Sequence, residues 1–202
     1  MKKRTNNLNP LKRCPWPAYD DPLYLAYHDE EWGVPVHNDR ILYEFLVLET
    51  FQAGLSWRTV LHKRQNFKKA FAGFDPKKVA KFNKRDVGRL LKNVGIIRNK
   101  LKIEAAINNA KRFLEMQREF GSFSNYQWQF VGGKPIIHKI EVLENYPTKI
   151  KEAEIMAVDM KKRGFKFLGP TVLYAHMQAV GMVNDHTIDC FRYRQLKKSP
   201  SR

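Results

Sequence analysis

Lys162-Arg-Gly-Phe-Lys-Phe-Leu-Gly169-Pro170 separates two stretches of helical spacing. Thr148 is placed to cap the first, which runs to Arg163, and Gly164 stops it. Pro170 suits the first turn of the second, where its missing N–H costs nothing, and that helix ends near Gly181. A helix, a short glycine-bounded turn and a second helix therefore follow one another. Strands are not suggested on either side.

The rest of the chain reads the same way. Asp39 can cap a helix carrying Ile41, Leu42, Phe45 and Leu48, which Gly54 interrupts. Ser56 can cap the next, with Val60, Leu61, Phe67 and Phe71 inward. Asp75-Pro76 and Asn83 with Asp86 start two short helices, the second ended by Gly95. Lys100 to Phe120 forms a long helix closed by Gly121. Gly132 to Pro135 is a turn. Asn184 is placed to cap a last short helix through Cys190. The predicted class is all-α, with one domain over 13–196 that has room for two lobes. Residues 1–12 and 197–202 read as disordered basic tails.

The 202 residues include 37 Lys plus Arg against 20 Asp plus Glu, a formal charge of +17. That self-repulsion fits a polyanionic partner. A merely solvated basic surface is the plain alternative. A membrane surface fits less well, because the basic residues are spread along the whole chain. No stretch approaches the roughly 20 apolar residues of a membrane span. The N-terminus lacks the apolar segment of a signal peptide. A cytoplasmic protein is expected, and two distant cysteines in a reducing compartment make a poor disulfide.

Cys14 and His28 lie near one end of the sequence, His186 and Cys190 near the other. The second pair is four apart, so a helix would point both side chains one way. Two thiolates and two imidazoles are a tetrahedral zinc set with no position left for water, hence structural. The alternative is two buried free cysteines and two histidines in ordinary hydrogen bonds. His62, His138 and His176 have no such pairing and read as ordinary.

Four segments carry more information: Asp21 to Pro35 (DPLYLAYHDEEWGVP), Gln52 to Trp57 (QAGLSW), Asn93 to Arg98 (NVGIIR) and again Lys162 to Gly169. With Val183-Asn-Asp-His186 they closely resemble the DNA-3-methyladenine glycosylase I family, from about Cys14 to Tyr193. The resemblance implies a helix-hairpin-helix glycosylase fold and one structural zinc held by Cys14, His28, His186 and Cys190. It also implies excision of 3-methyladenine from alkylated double-stranded DNA. A monomer with no membrane role is expected. Thr50-Phe51, after Leu48-Glu49, and Pro15 depart from the family pattern.

On that resemblance, Trp16, Tyr24, Tyr27, Trp32 and Trp57 are the aromatic walls for a flipped base. Taken singly, each could equally be core. Glu49 is the pocket acid, costly among Leu46, Val47, Leu48 and Phe51 unless a base partners it. A salt bridge at a helix end is the alternative. Leu55 would fill the gap left by the flipped nucleotide, or else be a buried loop leucine. The hairpin matches Asp159 to Val180. Gly164, Lys166, Gly169 and Thr171 would contact phosphate, unless the turn is only a packing corner. No lysine stands out as a Schiff-base nucleophile, so the expected chemistry is monofunctional hydrolysis. Asp185 is not assigned a part in it. A noncatalytic DNA-binding module and a glycosylase for another damaged base are the competing readings.

Overall fold

The computed structural model of the protein describes residues 11–197. Most of the expected tails, residues 1–10 and 198–202, lie outside the described residues. Ten α-helices are present among them: α1 (Pro22–Glu30), α2 (Asp39–Gln52), α3 (Trp57–Ala70), α4 (Pro76–Val79), α5 (Lys84–Lys92), α6 (Lys100–Phe120), α7 (Phe123–Trp128), α8 (Lys151–Lys162), α9 (Pro170–Ala179) and α10 (Phe191–Leu196). Two short strands, β1 (Ile136–Ile137) and β2 (Val183–Asn184), pair in parallel, Ile136 with Val183 and Ile137 with Asn184.

Helix α2 is the centre of the molecule. It packs on α3, α6, α7 and α9. Every residue from Leu42 to Phe51 is buried, while Ile41, expected inside, is exposed. A helix surrounded on all sides needs an apolar circumference rather than one stripe. Ile41 lies in the first turn of the helix, before the enclosed stretch begins, which is why its helical spacing with Leu42, Phe45 and Leu48 does not bury it. Around α2, Tyr43 meets the Phe113 ring edge-on at 5.3 Å, and Phe113 stacks on Phe123 at 4.0 Å. Phe51, Phe67 and Phe71 form a second aromatic group.

Several helix starts are legible in the sequence. Ser56 accepts from the Thr59 N–H, Asp75 caps α4, and Asn83 with Asp86 makes a reciprocal capping box. Three expectations need correction. Asn38, not Asp39, caps α2, and the Asp39 carboxylate instead accepts from the Phe123 and Ser124 N–H groups at the start of α7. Thr148 does not cap α8, whose N-cap is Ile150, with no side-chain hydrogen bond. No helix runs from Asn184 to Cys190. Asn184 belongs to β2, and Cys190 is the residue before α10.

The two ends of the described chain meet. The Phe191 N–H donates to the Lys12 carbonyl at 2.9 Å, and Lys12 pairs with Asp189. Arg13 grips Asp29 with two guanidinium nitrogens at 2.7 to 3.0 Å. Nearby, Arg64 of α3 bridges Glu31 and Glu44, locking α1, α2 and α3 together.

The α8–α9 corner has the expected turn. Gly164 adopts φ +83°, a left-handed conformation that a side chain would strain. Phe165 and Leu168 are buried, whereas Lys166 and Phe167 are exposed. Two neighbouring residues of α6 hold the loop. Asn109 accepts from the Lys166 N–H at 2.8 Å and donates to its carbonyl at 2.9 Å. Asn108 donates to the Gly164 carbonyl at 2.8 Å.

Candidate active site and metal centre

Asp21 builds the first wall of the site. It caps α1 by accepting from the Tyr24 N–H, and also accepts from Arg58 and His62 of α3, each at 2.7 Å. The His62 hydrogen bond is the largest influence holding its carboxyl down at about 2. His62 thus has a partner, as His138 has in Asp185 and His176 in Gln127. This cap sets the register of α1, so that Tyr24 and Tyr27, three apart, project to one side.

A cavity of about 230 Å³ opens against that face. It is lined by Trp16, Tyr24, Tyr27, Trp32, Trp57 and Glu49, all singled out in the sequence. Trp16 lies 4.8 Å from Trp32 and 5.4 Å from Tyr24, and Tyr27 lies 5.0 Å from Trp57. Gln52, Leu143, Tyr146, Ala175 and Gln178 complete the lining. Of these, only Gln52 sat inside a quoted motif. Thr50 and Phe51 are not part of the wall. The Thr50 hydroxyl donates back to the Leu46 carbonyl at 2.8 Å, and Phe51 stacks in the core.

The cavity carries unspent polarity. Trp16 Nε1, Trp57 Nε1 and Glu49 Oε2 are buried and have no hydrogen-bond partner. Such atoms are uncommon in folded proteins and point to a missing ligand. Burial alone pushes the Glu49 carboxyl from its ordinary 4.5 up to about 8. Tyr27 is raised well above the usual phenol range, first by burial and then by the nearby Glu49. Burial thus favours the neutral carboxyl, and a cationic ligand placed beside it would favour the carboxylate.

Leu55 stands on the rim, not in the cavity. It is exposed in the turn between α2 and α3, beside Gly54 at φ +78°. Gly164, Lys166, Gly169 and Thr171 are all exposed at the α8–α9 corner. Among the described residues no protein acceptor is seen for the Gly169 or Thr171 N–H. Val94, in the second glycine turn, is also exposed, but that turn is tied to the core through Ile96.

Cys14, His28, His186 and Cys190 converge although no helix carries the last two. Their four donor atoms lie within 4.8 Å of one another, all buried. His186 Nδ1 is 3.4 Å from both sulfurs, and His28 Nε2 is 3.7 Å from the Cys190 sulfur. The tight turn between β2 and α10 does the work that the helical spacing was expected to do. Each imidazole is oriented by its other nitrogen: His28 Nδ1 against Asp29 at 2.7 Å, and His186 Nε2 against the Trp32 carbonyl at 3.1 Å. Gly33 is required beside them, at φ +76°, because a Cβ there would press on the His186 ring at 3.2 Å. Hydrogen bonding from Cys190, and then from the imidazoles, favours the Cys14 thiolate against the opposing effect of burial. The cluster can hold a metal ion.

The cluster and the cavity share a wall. Trp16 packs on His28 at 5.2 Å, and Trp32 on His186 at 4.7 Å. Tyr146 lies between them: burial first, and then the Cys14 sulfur, raise its hydroxyl. By contrast Asp185, next to His186, is turned inward and accepts from His138, Tyr174 and Gln178.

Comparison with known proteins places this arrangement. Residues 16–193 match the methyladenine glycosylase family. DNA-3-methyladenine glycosylase 1 of Escherichia coli (strain K12) is 45% identical over 183 residues, covering 91% of this chain and 97% of that protein. A crystal structure of 3-methyladenine DNA glycosylase I superposes with a TM-score of 0.86 at 49% identity, over 89% of this chain and 98% of that one. A variant of such an enzyme, solved in complex with 3-methyladenine, superposes at 0.84 with 36% identity, over 90% of this chain and 95% of that one. By sequence along nearly its whole length and by fold, the chain belongs to the methyladenine glycosylase family.

Proposed function

We propose that the chain is a DNA repair glycosylase that flips 3-methyladenine out of alkylated duplex DNA and hydrolyses its N-glycosidic bond. One observation carries this reading: an aromatic-walled cavity with a buried acid, Glu49, that has no hydrogen-bond partner. Aromatic faces favour a delocalised cationic ring over a neutral base. Trp16, Tyr24, Tyr27, Trp32 and Trp57 stack on the base, and Glu49 meets its amino edge and positive charge. Leu55 enters the gap in the duplex.

Methylation at N3 already makes the adenine a good leaving group. The C1′–N9 bond breaks with its electron pair passing to the base, which leaves neutral. Water adds its oxygen to C1′ and releases a proton. The protein mainly binds, orients and excludes competing bases. Among the described residues no lysine lines the cavity, and the reaction proposed is hydrolysis without strand cleavage.

Gly164, Lys166, Gly169 and Thr171 hold a phosphate at the start of α9, with Lys161 and Lys162 adding positive charge. Cys14, His28, His186 and Cys190 hold one zinc. A tetrahedral zinc with bonds of about 2.3 Å to sulfur and about 2.0 Å to nitrogen sets sulfur and nitrogen roughly 3.6 Å apart, close to the spacings in the cluster. A bound zinc there supplies structure, since four protein donors leave no position for water. Among the described residues no helix is long and apolar enough to cross a membrane. A monomer acting in the cytoplasm completes the reading.

The test is incubation with methylated duplex DNA, followed by identification of released bases. Free 3-methyladenine is expected. DNA binding without release would leave only a noncatalytic hairpin module, and release of a different base would change the substrate.

A further inference from the structure

Gln178 lies on α9, three residues beyond Ala175, and lines the cavity beside it. Its side chain is not free to turn. Nε2 donates to Asp185 Oδ2 at 2.7 Å. Asp185 is fully enclosed, and two further groups converge on it: His138 Nδ1 at 2.6 Å and the Tyr174 hydroxyl. A carboxylate can only accept, so the amide must present its NH₂ to Asp185. The opposite end of the amide is thereby fixed. Among the described residues no donor reaches Oε1, and it is not among the fully buried unpartnered atoms, so it keeps some exposure on a residue that lines the cavity.

We propose that Gln178 is a specificity-determining residue, its carbonyl oxygen locked by Asp185 as a hydrogen-bond acceptor for the exocyclic amino group of the flipped base. The inference rests on the glycosylase reading and extends it. A neutral amide already ordered by a buried carboxylate needs no rearrangement when the base arrives. Its Asp185 partner also draws electron density toward Oε1, which strengthens the acceptor. Glu49 discriminates an amino group from a carbonyl only in its ionised form. A protonated carboxyl can donate as well as accept, so it can satisfy either group. An amide oxygen that cannot flip accepts only, and repels a carbonyl at the same place. The helix explains why the residue escaped the sequence reading: glutamine at this position carries no motif, and its partner follows seven residues later, beyond the end of α9.

The experiment compares binding of two free bases, 3-methyladenine and its 6-oxo counterpart 3-methylhypoxanthine. The quenching of Trp16, Trp32 and Trp57 fluorescence reports both. The full chain should prefer 3-methyladenine by tenfold or more, and Gln178→Met, which keeps the volume and removes the acceptor, should reduce that preference about tenfold. Gln178→Ala serves the same purpose should the methionine variant not fold. A purely structural role would weaken both bases alike. Equal binding of the two bases by the unaltered protein overturns the proposal, as does a preference that survives in the folded variant. Release of 3-methyladenine from methylated DNA by the unaltered protein is measured alongside. Its absence would defeat the glycosylase reading, whereas release with an unchanged base preference in the variant defeats only the assignment to Gln178.

Discussion

Lys102 of α6 donates its ammonium to the Phe51 carbonyl at 2.9 Å and to the Ala53 carbonyl at 2.5 Å, closing the end of α2 from a distant helix. The last carbonyls of a helix have no partner within it. Here a buried cation supplies one, and it does so directly beneath the turn that carries Leu55. Gln52 and Trp57, on either side of that turn, line the cavity. Desolvation lowers the lysine from its ordinary range, yet both carbonyls favour its charged form.

Lys102→Met should therefore loosen the rim more than the pocket. Excision from duplex DNA is expected to fall at least tenfold. Binding of free 3-methyladenine should change far less. Leu55→Ala should show the same split without a loss of stability, because Leu55 is exposed. Lys102→Met should also cost roughly 1 to 3 kcal/mol, the range for a lost buried partner. Parallel losses of free-base binding and duplex excision would assign Lys102 to the core alone.

Glu49 gives a prediction with a definite sign. Its carboxyl is raised in the folded protein from 4.5 to about 8. The stability this contributes is fully present below pH 4.5 and is lost as pH rises through 8, because the unfolded chain gives up the proton first. The full difference corresponds to about 5 kcal/mol. Glu49→Gln, neutral at every pH, should be nearly neutral in effect at pH 5 and stabilising at pH 8.5, by denaturant unfolding. It should cut base release while leaving nonspecific DNA binding almost unchanged. Parallel stability profiles for the two proteins would falsify the burial account.

How much of this could be read beforehand depended on distance along the chain. The caps at Ser56, Asp75 and Asn83 are local hydrogen bonds between residues two or three apart, and the sequence shows both partners. The motif segments supplied the aromatics and Glu49. What could not be read was chosen by tertiary packing. Asn109 meets the hairpin across 57 residues, and Lys102 meets α2 across about 50. Gln178 becomes informative only once Asp185 is seen to hold it. The four candidate metal donors show the difference well. Their identity was visible, but the helix invoked to align His186 with Cys190 does not exist, and a turn after β2 brings them together instead.

That turn makes the metal centre a junction between chain ends, so its loss should be felt as stability first. One zinc per chain is expected by elemental analysis. Cys190→Ser should abolish it and lower the melting temperature by about 10 °C or more, since structural zinc contributes several kcal/mol to folding. Base binding should weaken as a consequence, because Trp16 and Trp32 rest on the two imidazoles. A stable, active, metal-free protein would count against the site.

The hairpin should reveal itself through salt. Lys166 is exposed beside the start of α9, but its backbone is clamped by Asn109. The side chain and the backbone of one residue therefore make separable contributions. Lys166→Ala removes the proposed phosphate contact and leaves the clamp intact. It should weaken binding to all DNA sequences alike and reduce the slope of log affinity against log salt by about 1. Asn109→Leu removes the clamp and leaves the charge. It should keep the salt slope while lowering affinity, because the N–H groups of Gly169 and Thr171 are no longer held in register. Binding isotherms from 50 to 300 mM salt on undamaged duplex separate the two. A Lys166→Ala protein with an unchanged slope would move the phosphate contact elsewhere on this basic surface, and the glycine turn before Arg98 would be the next place to look.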